Sequence, residues 1–275
     1  TGLSFFLIIF YITIRGEIMK KLKKSAISLL LILLFITANI QVVQANITVA
    51  PRRFIFRIDE RNTQVVEVTN RSEHKMRIRV YPDKAEGMKE DFYLGEWMVL
   101  YPPVLELAPG QKRAVRFSVR APEKLADGEY RSLLFFEEQP RKNTSSEEEG
   151  VSFNLLTRLG INVYGQYGDL NYNGKLKDKQ VKEIEKGVQV TGKFINQSNA
   201  HLRMDVEAQL LKETKVDDEI KTEVVTRREL SSFVVHRGAT KDFDRKIKLP
   251  VKEGNKVKLI FWQGDKNVYQ ISQDI

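Results

Sequence analysis

The chain has 275 residues, contains no cysteine and carries a formal net charge of +9. Without cysteine it has neither disulfide bonds nor a lipid-modified cysteine, so its stability has to come from hydrophobic cores. Charged residues make up 29% of the chain and are interleaved in sign along strand-like segments, without a basic patch that carries stacking aromatic residues. This pattern argues against nucleic-acid binding and indicates a solvated charged surface.

Residues 19–45 have the features of an export signal. The basic start Met19-Lys20-Lys21-Leu22-Lys23-Lys24 precedes an apolar run from Ala26 to Ile36 and a small-residue exit at Val43-Gln44-Ala45. This order is typical of a secretory signal peptide, and we predict cleavage after Ala45. The apolar run is too short for a transmembrane helix, so we expect an exported protein without a stable membrane anchor.

Residues 1–18 lack an initiator methionine and precede Met19 directly. They end near Arg15-Gly16-Glu17, a tripeptide that a purine-rich ribosome-binding sequence encodes, so we interpret them as a translated leader. The alternative is a second membrane segment at Leu3–Ile14, which is again too short to span a bilayer. Without residues 1–45 the chain loses five of its 45 basic and one of its 36 acidic residues, which leaves 40 and 35 and a net charge of +5.

The chain from Asn46 to Glu138 consists of short apolar or alternating segments separated by turn residues. Alternation with period two buries one face of a β-strand and leaves the other face in water. No segment here shows a convincing helical period, and a strand spacing of roughly 8–12 residues predicts an immunoglobulin-like sandwich. The predicted strands are 46–56, 63–69, 75–81, 97–100, 104–107, 114–119 and 129–137.

Residues 165–275 repeat this style and predict a second all-β sandwich. The glycines and asparagines of Gly165–Gly174 suit a bend, which we interpret as a short hinge between the two domains. The run Val181–Ile184 is compatible with a helical turn, although it is short and rich in lysine. The predicted strands are 188–195, 202–211, 223–226, 232–235, 242–249 and 256–262.

The stretch Val151–Val163 alternates over 13 residues, and only Leu156 breaks the pattern. An ordinary strand has ~5–6 residues. The acidic, polar loop 142–149 precedes this stretch. Because one sandwich rarely needs so long a strand, we expect part of its apolar face to bind something other than its own core. The alternative is that the whole strand closes its own sandwich.

No constellation of residues in the sequence indicates catalysis. His74, His201 and His236 are isolated in turn-like or charged contexts, and we interpret them as surface histidines. Glycine-rich phosphate loops, the G-x-S-x-G nucleophile motif and the H-E-x-x-H metal motif are absent from the sequence. We therefore expect neither an enzyme nor a bound metal or cofactor.

Two further features are more specific. Pro51-Arg52-Arg53-Phe54 places two arginines at the start of a hydrophobic strand. Paired arginines at a strand end are usually solvated, but an arginine in a cleft can bind a carboxylate through two parallel hydrogen bonds. The run YPPVLELAPGQKRAVR, Tyr101–Arg116, begins with two prolines that interrupt strand pairing. It predicts a strand that switches sheets and is compatible with a cis bond.

Together with the long alternating strand, these features resemble the PapD-like periplasmic chaperones of the chaperone–usher pilus pathway. The pattern PPV-x-x-L-x-PG-x-x-x-x-VR spans Pro102–Arg116, and Asp127–Leu133 with the strand ending at Pro140 lies where the family has its last hairpin. The resemblance covers residues 46–164, the predicted N-terminal domain. Residues 165–275, the predicted C-terminal domain, match only in β character, length and position. The resemblance implies two immunoglobulin-like sandwiches set at an angle, in the periplasm.

The resemblance also implies a non-catalytic, ATP-independent chaperone that binds and caps pilus or fimbrial subunits and delivers them to an outer-membrane usher. In donor-strand complementation the chaperone lends an edge strand to a subunit that lacks its last strand. The donor residues would be Val151, Phe153 and Leu155, with Leu159 deeper in the groove. A self-capping homodimer is left open. The alternative function is an exported adhesive or structural protein that binds a cell-surface partner or a cell-wall polymer.

In this family an arginine on the first strand and a lysine on the long strand anchor the subunit's terminal carboxylate. Arg53 matches the arginine. The lysine position falls on Gly160, and we expect Arg158, two residues earlier on the same face, to replace the lysine. The family's asparagine in the preceding strand is also absent, and Glu137 or Glu138 occupies that region.

Overall fold

The structure, a computed structural model, describes residues 46–61, 63–140 and 156–275. Residues 46–275 group into one compact unit. The regular structure of the described residues is β-strand apart from three single turns of 3₁₀ helix. Strands β1 to β9 are Ile47–Ala50, Arg53–Arg57, Gln64–Asn70, Met76–Asp83, Met98–Tyr101, Val104–Leu107, Lys112–Val119, Gly128–Glu138 and Arg158–Tyr167. Strands β10 to β16 are Gly174–Ile184, Gly187–Asn196, Leu202–Val216, Glu219–Val235, Thr240–Lys248, Lys256–Gln263 and Lys266–Asp274.

Strands β1 to β9 form a two-sheet sandwich around one core. One sheet has the strand order β1-β3-β7-β5 and the other has the order β2-β9-β8-β4-β6. The alternating residues of each strand supply the core, so that Val66 of β3, Phe117 of β7 and Phe136 of β8 are almost fully buried. Phe54 of β2 meets Phe117 edge to face, with ring centroids 5.0 Å apart. Burial of each such aromatic side chain stabilises the fold by about 1.5–3 kcal/mol.

Two prolines mark the places where the chain changes sheets. The bonds Ala50-Pro51 and Tyr101-Pro102 are both cis. On either side of Pro51, β1 belongs to the first sheet and β2 to the second, and the same change takes place between β5 and β6. The change of sheets that the proline pair Pro102-Pro103 predicts is confirmed. The change of sheets at Pro51 divides residues 46–56, which the sequence predicts as one strand, into β1 and β2.

Strands β10 to β16 form the second sandwich, with sheet orders β10-β11-β14 and β13-β12-β15-β16. Its core contains an aromatic cluster in which Phe194 and Phe261 have ring centroids 5.1 Å apart. Phe243 lies 5.4 Å from both Phe233 and Phe261. The two sandwiches therefore each have a separate hydrophobic core.

The structure differs from the predictions for this second sandwich in three places. Val181–Ile184 is not a helical turn, because it continues β10 and pairs with β11 from Val181↔Val190 to Ile184↔Gly187. The predicted strands 223–226 and 232–235 are parts of the single long strand β13, whose polar residues lie on an exposed edge. Strand β16 was not predicted, since its sequence KNVYQISQD is largely polar and buries only Ile271.

The expected fold class is confirmed: the chain is an all-β protein with two immunoglobulin-like sandwiches in tandem. None of the helical turns within the described ranges has the length and apolar character needed to cross a membrane. The predicted leader, signal peptide and cleavage after Ala45 lie outside the described residues and stay predictions.

Candidate functional site

Strand β9 has a free backbone edge over its first four residues. It pairs antiparallel with β8 along its whole length, from Arg158↔Glu137 to Tyr167↔Gly128. On its other side β2 pairs with it in parallel, but only from Arg53↔Asn162 onward. Within the described ranges, Arg158–Ile161 therefore has no neighbouring strand on the β2 side. This edge can accept an additional strand that would end where β2 begins.

The predicted donor residues lie mostly upstream of this edge. Val151, Phe153 and Leu155 are outside the described residues, so their role stays a prediction. Leu159 is half-buried, pairs with Phe136 of β8 and packs against the core of the first sandwich. The inward-facing residues of the described part of β9 thus belong to the chain's own core, and the outward-facing residues are Arg158, Gly160 and Asn162.

Arg53 and Arg158 are on the same outer face of the sheet but are not neighbours. Arg53 is exposed at the start of β2 and is in register with Asn162 of β9. Arg158 lies four residues earlier along β9, which corresponds to roughly 13 Å of strand. The structure therefore does not bring the two predicted anchor residues together.

Arg158 instead turns toward strands β8 and β4, on the side away from β2. Its guanidinium lies 3.8 Å from the ring centroid of Phe135. Its Nη2 is 3.2 Å from Oδ2 of Asp83, and its Nε is 3.6 Å from Oε2 of Glu137. The positive charge of Arg158 is thus shared between two carboxylates and an aromatic face.

Gly160 lies directly against the Phe135 ring that Arg158 covers. A Cβ atom on Gly160 would be 2.8 Å from Cε1 of Phe135, which is closer than a side chain tolerates. A side chain at position 160, where we expected the family's lysine, would therefore require the Phe135 ring to shift. This contact follows from the register of the two strands, in which Gly160 and Phe135 are direct cross-strand partners.

An arginine that the sequence did not single out lies nearer to Arg53. Arg131 of β8 donates from Nε and Nη2 to Oδ1 of Asn162, at 3.1 and 2.7 Å. The hydroxyl of Tyr164 lies 3.5 Å from the same oxygen. Burial raises the pKa of Tyr164, and the positive charges of Arg131, Arg53 and Arg203 oppose that shift. The signal that was available is a lone charged residue in the largely apolar run Tyr130–Phe136.

Next to this group a buried pair joins the two sandwiches. The Nδ1 atom of His201 lies 2.8 and 2.7 Å from the two carboxylate oxygens of Glu129, and the backbone N–H of His201 donates to Oε1 at 3.1 Å. The Tyr164 ring stacks on the His201 ring at a centroid distance of 4.4 Å. Arg237 of the second sandwich donates to the backbone carbonyl of Glu129 at 3.0 Å.

The interpretation of His201 as a surface histidine is wrong. Only 6% of the residue is exposed, because Tyr164 and Glu129 of the first sandwich cover it. Its local sequence, Asn199-Ala200-His201, is typical of a turn and carries no sign of this partner, which is 72 residues away along the chain.

A cavity of about 140 Å³ lies beside the buried pair, between the loop around Phe92 and the turn around His236. Nδ1 of His236 is buried, and no hydrogen-bond partner for it occurs in the described part of the chain. Burial lowers the pKa of His236 from 6.5 to about 4, and electrostatic repulsion from Arg131 and Lys241 acts in the same direction. No cluster of three or more metal-ligating side chains occurs among the described residues.

Residues 46–164 match the family model of the pili and flagellar-assembly chaperones, PapD N-terminal domain. The N-terminal sandwich belongs to this family of pilus-assembly chaperone domains. The family is a non-enzymatic family of periplasmic chaperones. The resemblance that the proline and glycine motifs indicate is therefore confirmed.

Several solved chaperone structures resemble the whole two-sandwich chain at low sequence identity. The YadV chaperone is 11% identical, with 84% of this chain and 100% of that chain covered and a TM-score of 0.48. The CupB2 chaperone of Pseudomonas aeruginosa is 16% identical, with 82% and 98% covered and a TM-score of 0.44. A chain of the Salmonella enterica SafA pilin–SafB chaperone complex is 12% identical, with 86% and 99% covered and a TM-score of 0.45. No curated protein matches the sequence.

Proposed function

We propose that this PapD-like chaperone caps pilus or fimbrial subunits by donor-strand complementation along β9 and delivers them to an outer-membrane usher. The observation that carries the proposal is the free edge at Arg158–Ile161, which leads from the alternating segment upstream to Arg53. Main-chain hydrogen bonds to such an edge supply affinity, and alternate side chains supply specificity. An unpaired strand edge of this kind promotes aggregation when it stays exposed. Its presence therefore favours a protein that pairs this edge with a strand of another chain.

The donor side chains supply the hydrophobic part of the interaction. Val151, Phe153 and Leu155 alternate with polar residues, so an added strand in register with β9 would place all three against the subunit. Burial of three such side chains contributes about 5–9 kcal/mol, at roughly 1.5–3 kcal/mol each, before the cost of ordering the segment. The acidic residues Glu147-Glu148-Glu149 precede this segment and would discourage non-specific pairing.

The geometry of β2 favours one orientation for the subunit strand. A strand added beside Arg158–Ile161 would be collinear with β2, which runs parallel to β9. If the added strand is also parallel to β9, its carboxyl end reaches Arg53, whereas an antiparallel strand would bring its amino end there. The positive charge of Arg53 favours the carboxylate. We therefore infer that the subunit ends at Arg53.

The donor segment is tested by the substitution Phe153→Asp. A carboxylate cannot enter an apolar groove without a large desolvation cost, so the variant should lose co-purification of subunits from the native periplasm while staying folded. The matched control is Asn154→Asp, which adds the same charge at a polar position of the alternation. Unchanged co-purification by the Phe153 variant would exclude strand donation by this segment.

The chain-end site is tested by Arg53→Ala. Loss of a charge-assisted bidentate contact should weaken capture by about 1.5–3 kcal/mol, so subunits would be released to aggregation or proteolysis. Arg52→Ala removes the neighbouring exposed arginine outside β2 and should leave capture unchanged. The measurement is the amount of intact subunit per chaperone in the periplasm. Equal effects of the two substitutions would indicate a general charge effect and no specific site at Arg53.

A further inference from the structure

The outer face of the sheet β10-β11-β14 carries an excess of positive charge. Strand β11 buries Val188, Val190 and Phe194 in the core of the second sandwich, so the residues between them, with their cross-strand partners on β10 and β14, face solvent. These outward positions hold six lysines and two aspartates, which give a net charge of +4. The lysines are Lys175, Lys177, Lys182, Lys193, Lys246 and Lys248, and the aspartates are Asp242 and Asp244. This surface is called the basic face.

The lysines of the basic face are not neutralised by their neighbours. None of the six has a carboxylate within ion-pair distance in the described part of the chain. On the opposite sheet of the same sandwich, by contrast, Lys256 contacts the carboxylates of both Glu213 and Asp274. The bulge residues Asp178 and Lys179 lie between the paired positions of β10, and their opposite charges cancel. The net charge of the basic face therefore acts on whatever approaches it from solvent.

Two lysines of the basic face oppose each other directly. Lys177 of β10 and Lys193 of β11 are cross-strand partners, and both are exposed. Directly opposed like charges destabilise a sheet. Packing does not explain the two lysines, because both side chains lie on the solvent side of the sheet, away from the core. An anion between the two ammonium groups would remove their repulsion, so this pair points to an anionic partner.

The composition of the basic face favours a lipid surface over a protein partner. The buried centre of a protein–protein interface is depleted in lysine and enriched in aromatic residues, methionine and arginine. The paired outward positions of the basic face contain six lysines, but neither an arginine nor an aromatic residue. Lysine ammonium groups bind phosphates as point charges on flexible stems, and clusters of basic residues bind anionic phospholipid headgroups. The three strands present these charges together on a surface of about 10 Å by 30 Å.

We propose that the basic face docks the protein reversibly on a phospholipid bilayer through the anionic phosphates of its headgroups. Because no aromatic side chain is available to insert into the bilayer, the binding is electrostatic and sensitive to salt. The basic face belongs to the second sandwich, whereas the free edge of β9 belongs to the first. Lipid binding therefore uses a different surface from the proposed capture of subunits, and it would hold the protein at a membrane without a hydrophobic anchor.

Co-sedimentation with lipid vesicles tests the proposal. We expect the mature protein to bind vesicles that contain phosphatidylglycerol, to ignore vesicles of phosphatidylcholine alone, and to be released as the salt concentration rises. The triple variant Lys177→Gln/Lys193→Gln/Lys246→Gln should bind roughly a hundredfold more weakly, since each lysine near an anionic surface contributes about fivefold. The matched control removes the same charge from exposed positions of β12, β13 and β16 and should leave the affinity nearly unchanged. It is the triple variant Lys212→Gln/Lys221→Gln/Lys266→Gln.

The substitution Lys177→Glu separates lipid binding from a structural role. A glutamate opposite Lys193 replaces a repulsive pair with an attractive one, so the variant should unfold at a higher urea concentration than the wild type while its vesicle binding falls. The double variant Lys177→Arg/Lys193→Arg keeps both charges and should bind vesicles like the wild type.

Three results would overturn the proposal. The first is the absence of wild-type binding to phosphatidylglycerol vesicles at low salt. The second is equal weakening by the two triple variants, which would show a general effect of net charge. The third is tighter binding to soluble polyglutamate than to the anionic vesicles, which would identify an acidic protein as the partner.

Discussion

The absence of a side chain at Gly160 decides how Phe135 and Arg158 pack on β9. With no side chain at this position, the Phe135 ring lies flat against β9 and Arg158 stacks on the ring from outside. The Arg158 guanidinium also lies 5.6 Å from the ring centroid of Tyr81 in β4. Arg158 therefore connects the start of β9 with both β8 and β4. This arginine therefore holds the first residues of β9, next to the segment that we propose as the donor.

The substitution Gly160→Ala tests this arrangement. Its methyl group would collide with Phe135, so the ring and the stacked Arg158 have to move, and we expect a loss of about 1–3 kcal/mol in the free energy of unfolding. Urea denaturation of the mature protein measures this loss. The double variant Gly160→Ala/Phe135→Leu should lose less than the sum of the two single variants, because leucine can withdraw from the added methyl. Additive losses would show that the two residues are not in tight contact.

At the scale of single residues, the prediction that Arg158 acts together with Arg53 rests on linear spacing alone. The spacing of two residues places Arg158 and Gly160 on one face of β9. It carries no information about which neighbouring strand a long side chain contacts. Asp83 and Glu137 come from strands that are distant in sequence, and they decide the direction of Arg158. The contact of Arg131 with Asn162 could not be predicted for the same reason, since it spans 31 residues.

At the scale of elements, the period-two pattern predicts most strands because one face of each strand is buried. The strands of both cores, such as β7 and β15, could be recognised in this way. Strand ends were harder to predict where the chain leaves a core. Beyond Leu211, β12 pairs only with β13, and this hairpin is largely exposed and polar, so no alternation marks its length.

The turn between β13 and β14 carries His236 into the cavity beside the junction. Its folded-state pKa of about 4 is below the ordinary value of 6.5, so the folded protein binds this proton less readily than the unfolded chain does. The stabilising contribution is complete above the unfolded pKa and is lost as the pH falls from 6.5 toward 4. Arg131 and Lys241 add to the effect by repelling the charged imidazolium, and Glu129 also lines the cavity.

We therefore expect the wild-type protein to lose more stability between about pH 7 and about pH 5 than the variant His236→Asn, which has no proton to bind in this range. Urea unfolding of both proteins at the two pH values gives the comparison, and the difference between them removes the contribution of the carboxylates that both share. Parallel pH profiles for the two proteins would show that His236 does not titrate in this way.

At the scale of the whole molecule, two separate cores are joined by a small number of polar contacts. The pair Glu129–His201, the Tyr164 stack and the contact of Arg237 with the Glu129 carbonyl connect residues of the first sandwich with residues of the second. The same side of the first sandwich carries Asn162 and Arg131, each two residues along its strand from this junction. The hydrogen bonds between Arg131 and Asn162 thus lie next to the residues that hold the two sandwiches together.

The substitution Glu129→Ala tests how strongly the junction couples the two sandwiches. It leaves Nδ1 of His201 buried without its hydrogen-bond partner, which costs about 1–3 kcal/mol. Each sandwich keeps its own core, so we expect the wild type to unfold in one calorimetric transition and the variant in two. The control Glu106→Ala removes a carboxylate whose ion pair with Lys75 is exposed, and it should leave the transition unchanged. One transition in both variants would mean that apolar packing, and not the Glu129–His201 pair, makes the two sandwiches unfold together.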